Sequence, residues 1–368
     1  MNKNIGIETI YRDVLLTNYG SFWQHFALRM VLKEMGFHPF RCENGRLLDE
    51  VRILSLPLRI ARIWVLSVLG FRKRPDWNAC HAALIRWRFV WDYWSLIGKV
   101  FEHGRRAFAY IAGGDSVWCM TERHYFLLDK PVDARRISYA ASSAWDKLSK
   151  NAVWSENVKE VVDSFHKIGV RENAGAKIVG SHAEVVIDPV LLCSRETFDR
   201  LIPSSTVRSK RFVLYYAVNV FDAAGLNLPT IKHCADELQC SLRIVGIQGA
   251  GQYIPDEYKA EPSPRSFLSL VRDAEFLVTN SFHGLVFALL FNKRFVFVQQ
   301  SGHIHGNQNL RQTELLVRLS MQDWIQPSSP NADKLIECLS RDPDWGRINS
   351  ELAVERMRCR AWLKDALS

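Results

Sequence analysis

The segment Glu275-Phe276-Leu277-Val278-Thr279-Asn280-Ser281-Phe282-His283-Gly284 holds the greatest density of groups that could do chemistry. An apolar strand-like run ends in a polar triplet, and a helical pattern follows. A helix N-terminus presents unpaired N–H groups and partial positive charge, so Asn280, Ser281 and the amides through Gly284 could hold an anion. His283 at that point could donate to a phosphate or carry a proton near neutral pH. A histidine at a helix start also serves as a cap or a packing residue, and this segment alone does not decide between the two.

Three further places pair polar residues with strand ends. Gly113-Gly114-Asp115-Ser116 follows the apolar run Phe108–Ala112. Paired glycines permit a tight turn whose amides face a ligand, and they also occur in ordinary turns. Arg171 ends Ile168-Gly169-Val170, where its guanidinium could fork onto a carboxylate or phosphate, or simply pair with Glu172. Asn18-Tyr19-Gly20 stands between the first strand and a helix from Ser21, a place for ligand contact or plain turn structure. Asp188-Pro189 reads as turn chemistry. No Walker A loop, GxGxxG, GxSxG or HExxH occurs.

Positioning these residues requires alternating strands and helices. Candidate strands are Ile5–Ile10, Phe37–Arg41, Phe108–Ala112, Ile137–Ala140, Lys167–Val170 and Glu184–Ile187, then Phe212–Ala217, Leu242–Val245, Glu275–Val278 and Phe295–Val298. Helices are expected at Ser21–Met35, Ala223–Leu238, Ser266–Arg272, Gly284–Phe291, Leu310–Leu319 and around Ser350–Leu367. This alternation implies parallel sheets with helices on both faces. The chain of 368 residues is long enough for two such units, and Arg195–Lys210, with Ile202-Pro203-Ser204-Ser205-Thr206, is the best linker. The expected division is 1–204 and 205–368, the second part ending in the terminal helix.

A basic insertion, about 45–106, interrupts the first unit. Arg46 to Arg106 carries twelve Lys/Arg against five Asp/Glu, most of the formal net charge of +9. Val51–Leu69 reads as an amphipathic helix with Arg52, Arg59 and Arg62 in one sector, bent or broken by Pro57. Trp64, Trp77, Trp87, Trp91 and Trp94 follow. Basic residues with tryptophans suit a helix lying on an anionic leaflet through residues 51–74, or a helical subdomain with its own aromatic core. No nucleic-acid motif accompanies the charge, so nucleic acid is not an expected partner. The eight cysteines form no CxxC pair and the N-terminus has no signal-peptide pattern, so reduced thiols, a cytoplasmic location and no metal are expected.

The order of these segments adds a stronger signal. Thr17-Asn18-Tyr19-Gly20 with Gln24, Gly113-Gly114-Asp115-Ser116-Val117-Trp118, Ser138-Tyr139-Ala140-Ala141-Ser142, Val170-Arg171-Glu172, Asp188-Pro189 and Thr279-Asn280-Ser281-Phe282-His283-Gly284 together resemble the polysaccharide pyruvyl transferase family, over about residues 5–320. The resemblance implies two Rossmann-like domains in the B-type arrangement of glycosyltransferases, with the ligand cleft between them. It implies transfer of pyruvate from phosphoenolpyruvate, a co-substrate with no further cofactor, to a sugar of a cell-surface polysaccharide or its precursor as a cyclic ketal. Arg171 and His283 are the expected family Arg and His, one from each domain. Asp115 is the expected partner of an acceptor hydroxyl, and Gly113, Gly114, Ser116, Asn18 and Tyr19 are expected ligand contacts.

Two departures stand out. The turn after the third strand commonly reads Gly-Ser-Asp-Gln in this branch, against Gly113-Gly114-Asp115-Ser116 here. Some members carry a lysine about 20 residues beyond the histidine; here the loop Gln299–Gly306 has none, and His303, His305 or Arg311 would replace it. A glycosyltransferase using a nucleotide-sugar donor is the first alternative. An inactive scaffold of the same pathway, bound to the inner face of the membrane, is the second.

Overall fold

A computed structural model describes residues 3–9, 18–42, 55–69, 76–97, 106–115, 117–119, 123–142, 159–202, 210–247, 249–301 and 309–368. Ser116, His303, His305 and residues 203–209 of the linker lie outside the described residues.

The first half contains β1 (Asn4–Glu8), α1 (Tyr19–Glu34), β2 (His38–Arg41), α2 (Leu56–Val68), α3 (Trp77–Leu96), β3 (Ala109–Gly113), β4 (Arg135–Ala141), β5 (Lys167–Val170), α4 (Asn173–Val179), β6 (Ala183–Val185), α5 (Pro189–Leu192) and α6 (Arg195–Asp199). The second contains β7 (Phe212–Val218), α7 (Leu228–Glu237), β8 (Ser241–Ile247), α8 (Pro264–Asp273), β9 (Phe276–Thr279), α9 (Phe282–Leu290), β10 (Arg294–Val298), α10 (Leu310–Arg318), β11 (Ile325–Gln326), α11 (Ala332–Ser340) and α12 (Trp345–Ala366).

The strands form two parallel sheets, six-stranded in the order β2-β1-β3-β4-β5-β6 and five-stranded in the order β11-β10-β9-β7-β8. Parallel strands covered on both faces need unbroken apolar runs. Every residue of Ala109–Gly113 and of Phe212–Val218 is accordingly buried. Strand order reverses between β1 and β3 in the first sheet and between β7 and β9 in the second. Open parallel sheets leave a crevice for ligands at the carboxyl ends of strands flanking such a reversal.

One apolar core runs through both halves, joining Phe22, Trp23 and Phe26 of α1 to Leu285 and Phe287 of α9. The Tyr19 ring stacks on Phe267 of α8 at 4.5 Å and 7°. Its hydroxyl donates to the Pro262 carbonyl at 2.7 Å. The last helix, α12, returns to the first sheet: Trp362 Nε1 donates to Glu184 at 2.9 Å, and Arg358 reaches the Val185 carbonyl at 2.7 Å. These contacts fix how the carboxyl ends of the two sheets face each other.

The elements depart from expectation where backbone chemistry sets a boundary. Pro57 stands in the first turn of α2, so the helix starts there rather than bending. α7 starts at Leu228, five residues later than expected, because Asn227 is left-handed at φ 52° and Pro229 takes the first turn. α6 occupies the start of the stretch read as linker. The long α3 within the insertion, and β11 and α11 near the end, carry no sharp sequence signal.

Candidate active site

The turn after β3 is held from α1. Gly114 has φ 103°, a conformation that favours glycine, and a β-carbon there would strike the Gln24 side chain. The Gln24 carboxamide joins both strands flanking the first reversal. Its Oε1 accepts from the Asp115 amide at 3.0 Å, and its Nε2 donates to Thr9 Oγ1 at 2.9 Å. Asp115 is thereby placed in the first crevice.

In the second sheet, the junction between β9 and α9 is strapped to β7. Asn280 accepts from the Val218 amide and donates to the Val218 carbonyl, both at 2.8 Å. Thr279 Oγ1 donates to the Tyr216 carbonyl at 2.8 Å and accepts from the Ser281 amide at 3.0 Å. Gly284 packs so closely on Thr279 that a β-carbon would collide with it. The Asn280 side chain and the Ser281 amide therefore hold the junction's shape. The junction aims the first turn of α9, with Phe282 and His283, at the first sheet.

His283 lies against the first turn of α1, where a β-carbon at Gly20 would collide with its ring. Asn18 caps that turn by accepting from the Ser21 amide at 3.1 Å. The backbone around Asn18, Tyr19 and Gly20 thus borders the site, while the Tyr19 side chain turns into the shared core.

Five ionisable side chains then converge. Arg171 contacts Asp115 at 3.2 Å and Asp188 at 3.0 Å. His283 places Nε2 3.4 Å from Asp188 and Nδ1 3.9 Å from Asp115. Arg311, at the start of α10, pairs with Asp115 across the cleft. The Phe282 ring lies beneath both guanidinium groups, 4.6 Å from Arg171 and 5.7 Å from Arg311. Behind them Glu172 bonds Ser142, and its second oxygen has no hydrogen-bond partner among the described residues.

Burial alone would raise the pKa of Asp115, but the charges of Arg311, His283 and Arg171 outweigh it and hold the carboxyl well below its usual range. Burial likewise opposes ionisation of Asp188, and Arg171 and His283 win, so its pKa is also lowered. At Glu172 burial prevails over Arg171 and Arg311, and the pKa is raised. Two carboxyls with lowered pKa values beside one with a raised pKa is the kind of separation that buried functional sites produce.

The structure brings Asp115, Arg171, His283 and Arg311 into one cluster, with Gly113, Gly114, Asn18, Asn280, Ser281 and Gly284 shaping its walls. Residue-by-residue reading underrated two participants. Asp188 does cap α5, accepting from the Val190 amide at 2.9 Å, as Asp-Pro turn chemistry predicts. Its other oxygen serves Arg171 and His283, and only the place of Asp188-Pro189 among the six ordered segments hinted at this. Glu172 pairs with Ser142 rather than with Arg171, and no sequence signal marked that. Among the described residues no group of three His, Cys, Asp or Glu could hold a metal ion.

Among solved structures, MnaA from S. aureus, determined with UDP, is 12% identical with a TM-score of 0.50, over 96% of this chain and 90% of that one. The glycosyltransferase SnogD from Streptomyces nogalater is 10% identical with a TM-score of 0.47, each chain covered fully at 100%. The likeness to MnaA shows a shared fold, two Rossmann-like sheets facing across a cleft, which is the expected B-type arrangement. No curated protein matches the sequence. The model of the family described as "Polysaccharide pyruvyl transferase" matches residues 18–302, a span that contains Asn18, Asp115, Arg171, Asp188 and His283. With that match over most of its length, the chain belongs to the polysaccharide pyruvyl transferase family.

Proposed function

We propose that the protein transfers pyruvate from phosphoenolpyruvate to two hydroxyls of a sugar in a cell-surface polysaccharide or its precursor, as a cyclic ketal. The family implies a pyruvyl donor and a saccharide acceptor. The observation that carries the choice of donor is the convergence of Arg171, Arg311 and His283 from both sides of the cleft. Phosphoenolpyruvate carries a carboxylate and a phosphate, so it needs two anion-binding groups. A guanidinium has five N–H donors, so each arginine can keep its aspartate and still bind a ligand oxygen. The α1 and α9 N-termini, which meet at Gly20 and His283, add partial positive charge.

The cavity beside Arg171, Asp188, Phe282 and Arg311 is about 30 Å³, room for roughly one water. Donor entry therefore requires Arg311 to leave Asp115 or the two sheets to part. Ketal formation then adds a proton to the methylene carbon, which makes C2 electrophilic. One sugar hydroxyl adds to C2, phosphate leaves, and a second hydroxyl closes the ring. Of the two hydroxyl protons released, one balances the proton taken up by carbon and the other goes to the leaving phosphate. His283, with Asp188 beside Nε2, is the proton donor or phosphate partner. A carboxylate whose pKa is held low is a weak base, so Asp115 orients the acceptor hydroxyl rather than deprotonating it. The reading needs no cofactor beyond phosphoenolpyruvate.

The acceptor is proposed to be presented at the inner face of the membrane. No helix among the described residues is long and apolar enough to cross a bilayer. Leu58, Arg62, Val65 and Leu69, spaced four, three and four residues apart, instead form an exposed ridge on α2. A basic, apolar ridge suits adsorption to anionic lipid.

Thermal shift tests the donor. Wild type and Arg311→Gln, in which Asp115 still has Arg171, are heated with phosphoenolpyruvate or with uridine diphosphate sugars. At 100 times its dissociation constant a ligand adds about 2.7 kcal/mol of apparent stability. The expected result is a shift with phosphoenolpyruvate that Arg311→Gln loses. A shift with one nucleotide sugar and none with phosphoenolpyruvate would replace pyruvyl transfer by glycosyl transfer.

A further inference from the structure

The second sheet has its own reversal of strand order, between β7 and β9, and the anion cluster does not fill it. An open cavity of about 290 Å³ lies there, lined by the ends of β7, β9 and β10. It is several times larger than the space beside Arg171 and Arg311. Asn280 belongs to both places: it lines this cavity, and three residues later the chain delivers His283 to the cluster. Gln300 ties the same point down by donating to the Asn280 carbonyl at 2.9 Å.

The lining has a definite chemistry. Among the described residues no Lys, Arg or His lines the cavity, so none of them compensates a phosphate or diphosphate there. Polar side chains come from Asn219, Asp222, Asn280, Gln299, Gln300 and Ser301. The amides donate to and accept from hydroxyls, and the carboxylate accepts from them. Phe221 is 63% exposed at the rim, a large ring left in water beside these groups. Its position is fixed from behind, because Tyr253 donates to the Phe221 carbonyl at 2.5 Å and Gly249, at φ 95°, packs beneath Val220 and Phe221. An aromatic face beside hydroxyl-bonding side chains fits a neutral pyranose, whose C–H face is apolar and whose edge is all hydroxyl.

We propose that this second crevice is the binding site for the sugar ring of the acceptor, with Phe221 as its platform and Asp222, Gln299 and Gln300 reading its hydroxyls. The assignment of the ring as an acceptor rests on the pyruvyl-transfer reading. The binding of a neutral sugar does not. The two reversal points then divide the substrates by charge: the anionic donor at the first, the uncharged ring at the second, with the Thr279–His283 junction between them.

Saturation-transfer NMR on the full chain tests this, using methyl glycosides of galactose, glucose, mannose and N-acetylglucosamine as probes on wild type, Phe221→Ala and Gln299→Ala. The phosphoenolpyruvate thermal shift is measured on the same samples. At least one glycoside is expected to receive saturation in wild type and to lose it at least fivefold in both variants, with the phosphoenolpyruvate shift unchanged. Glycoside binding without any phosphoenolpyruvate shift would keep the sugar site and overturn the donor. Four overturning results are no saturation of any glycoside at 20 mM, saturation that survives both substitutions, loss of the phosphoenolpyruvate shift in Phe221→Ala, and uridine diphosphate binding that Phe221→Ala abolishes.

Discussion

The cleft and the α2 ridge invert the usual placement of side chains. In the cleft the Asp188 side chain has no exposed surface and that of Arg171 only 3%. On the ridge Leu58 is 77% and Leu69 61% exposed. Buried charge is costly unless it is paired, and exposed apolar surface is costly unless something covers it. The cleft meets its condition internally, because every acid of the cluster faces a base or a hydroxyl. The ridge does not: among the described residues α2 packs on α3, and the side chains of the ridge stay exposed. A region that solves its own physical problem can be probed on the isolated protein, while one that does not must be probed with a partner present.

The sharpest way to break the comparison is to take the proton carrier from the cleft. His283→Ala should lower pyruvyl transfer by about 10²–10⁴-fold, the usual contribution of general acid catalysis, with a far smaller change in melting temperature. Turnover of the variant equal to wild type would remove His283 from the mechanism and leave it a packing residue against Gly20.

Asp188→Ala should show the largest stability loss, about 3–5 kcal/mol, because Arg171 stays buried with one partner fewer. Chemical denaturation measures it, and a loss below about 1 kcal/mol would mean that Asp115 alone satisfies Arg171. A pH series sharpens this. The pKa values of Asp115 and Asp188 are lower folded than unfolded, so their contribution is present above the unfolded value near pH 4 and is lost as pH falls through the folded values. Glu172 has the opposite sign. Its pKa is raised on folding, so the wild type loses stability as pH rises from about 4 through the folded value. Glu172→Gln removes that titration, and its melting temperature relative to wild type should climb with pH over that window. A difference that is flat with pH would mean Glu172 titrates as it does in the unfolded chain.

How much of this was readable in the sequence depended on whether the signal was local. The sheets were legible because parallel strands such as Phe212–Val218 must be apolar throughout. Asp115, Arg171 and His283 were legible because each ends a strand or opens a helix, where a parallel sheet presents ligand contacts. Asp188 was half legible: its capping oxygen acts locally, and its second oxygen acts on His283, 95 residues away in the chain. The Glu172–Ser142 pair and the Gln24 brace on Asp115 join segments with no shared periodicity, so only the folded chain displays them. The second crevice was silent for the same reason, since Phe221 and Gln299 become neighbours only when β7 and β10 flank β9.

The smallest expected effect on the isolated protein is also the one that best isolates the ridge. Leu58→Ser, Val65→Ser and Leu69→Ser together replace exposed apolar side chains that touch no core, and single surface changes of this kind stay within about 0.5 kcal/mol. The melting temperature should therefore hardly move. Flotation with vesicles containing anionic lipid should show binding of wild type at low salt and its loss in the triple variant. Added salt should weaken wild-type binding as well, because Arg59 and Arg62 act through a screened field. If wild type fails to float, the lipid reading of α2 is gone. If the variant melts early, the ridge packs against protein after all, and the contrast with the cleft becomes one of degree.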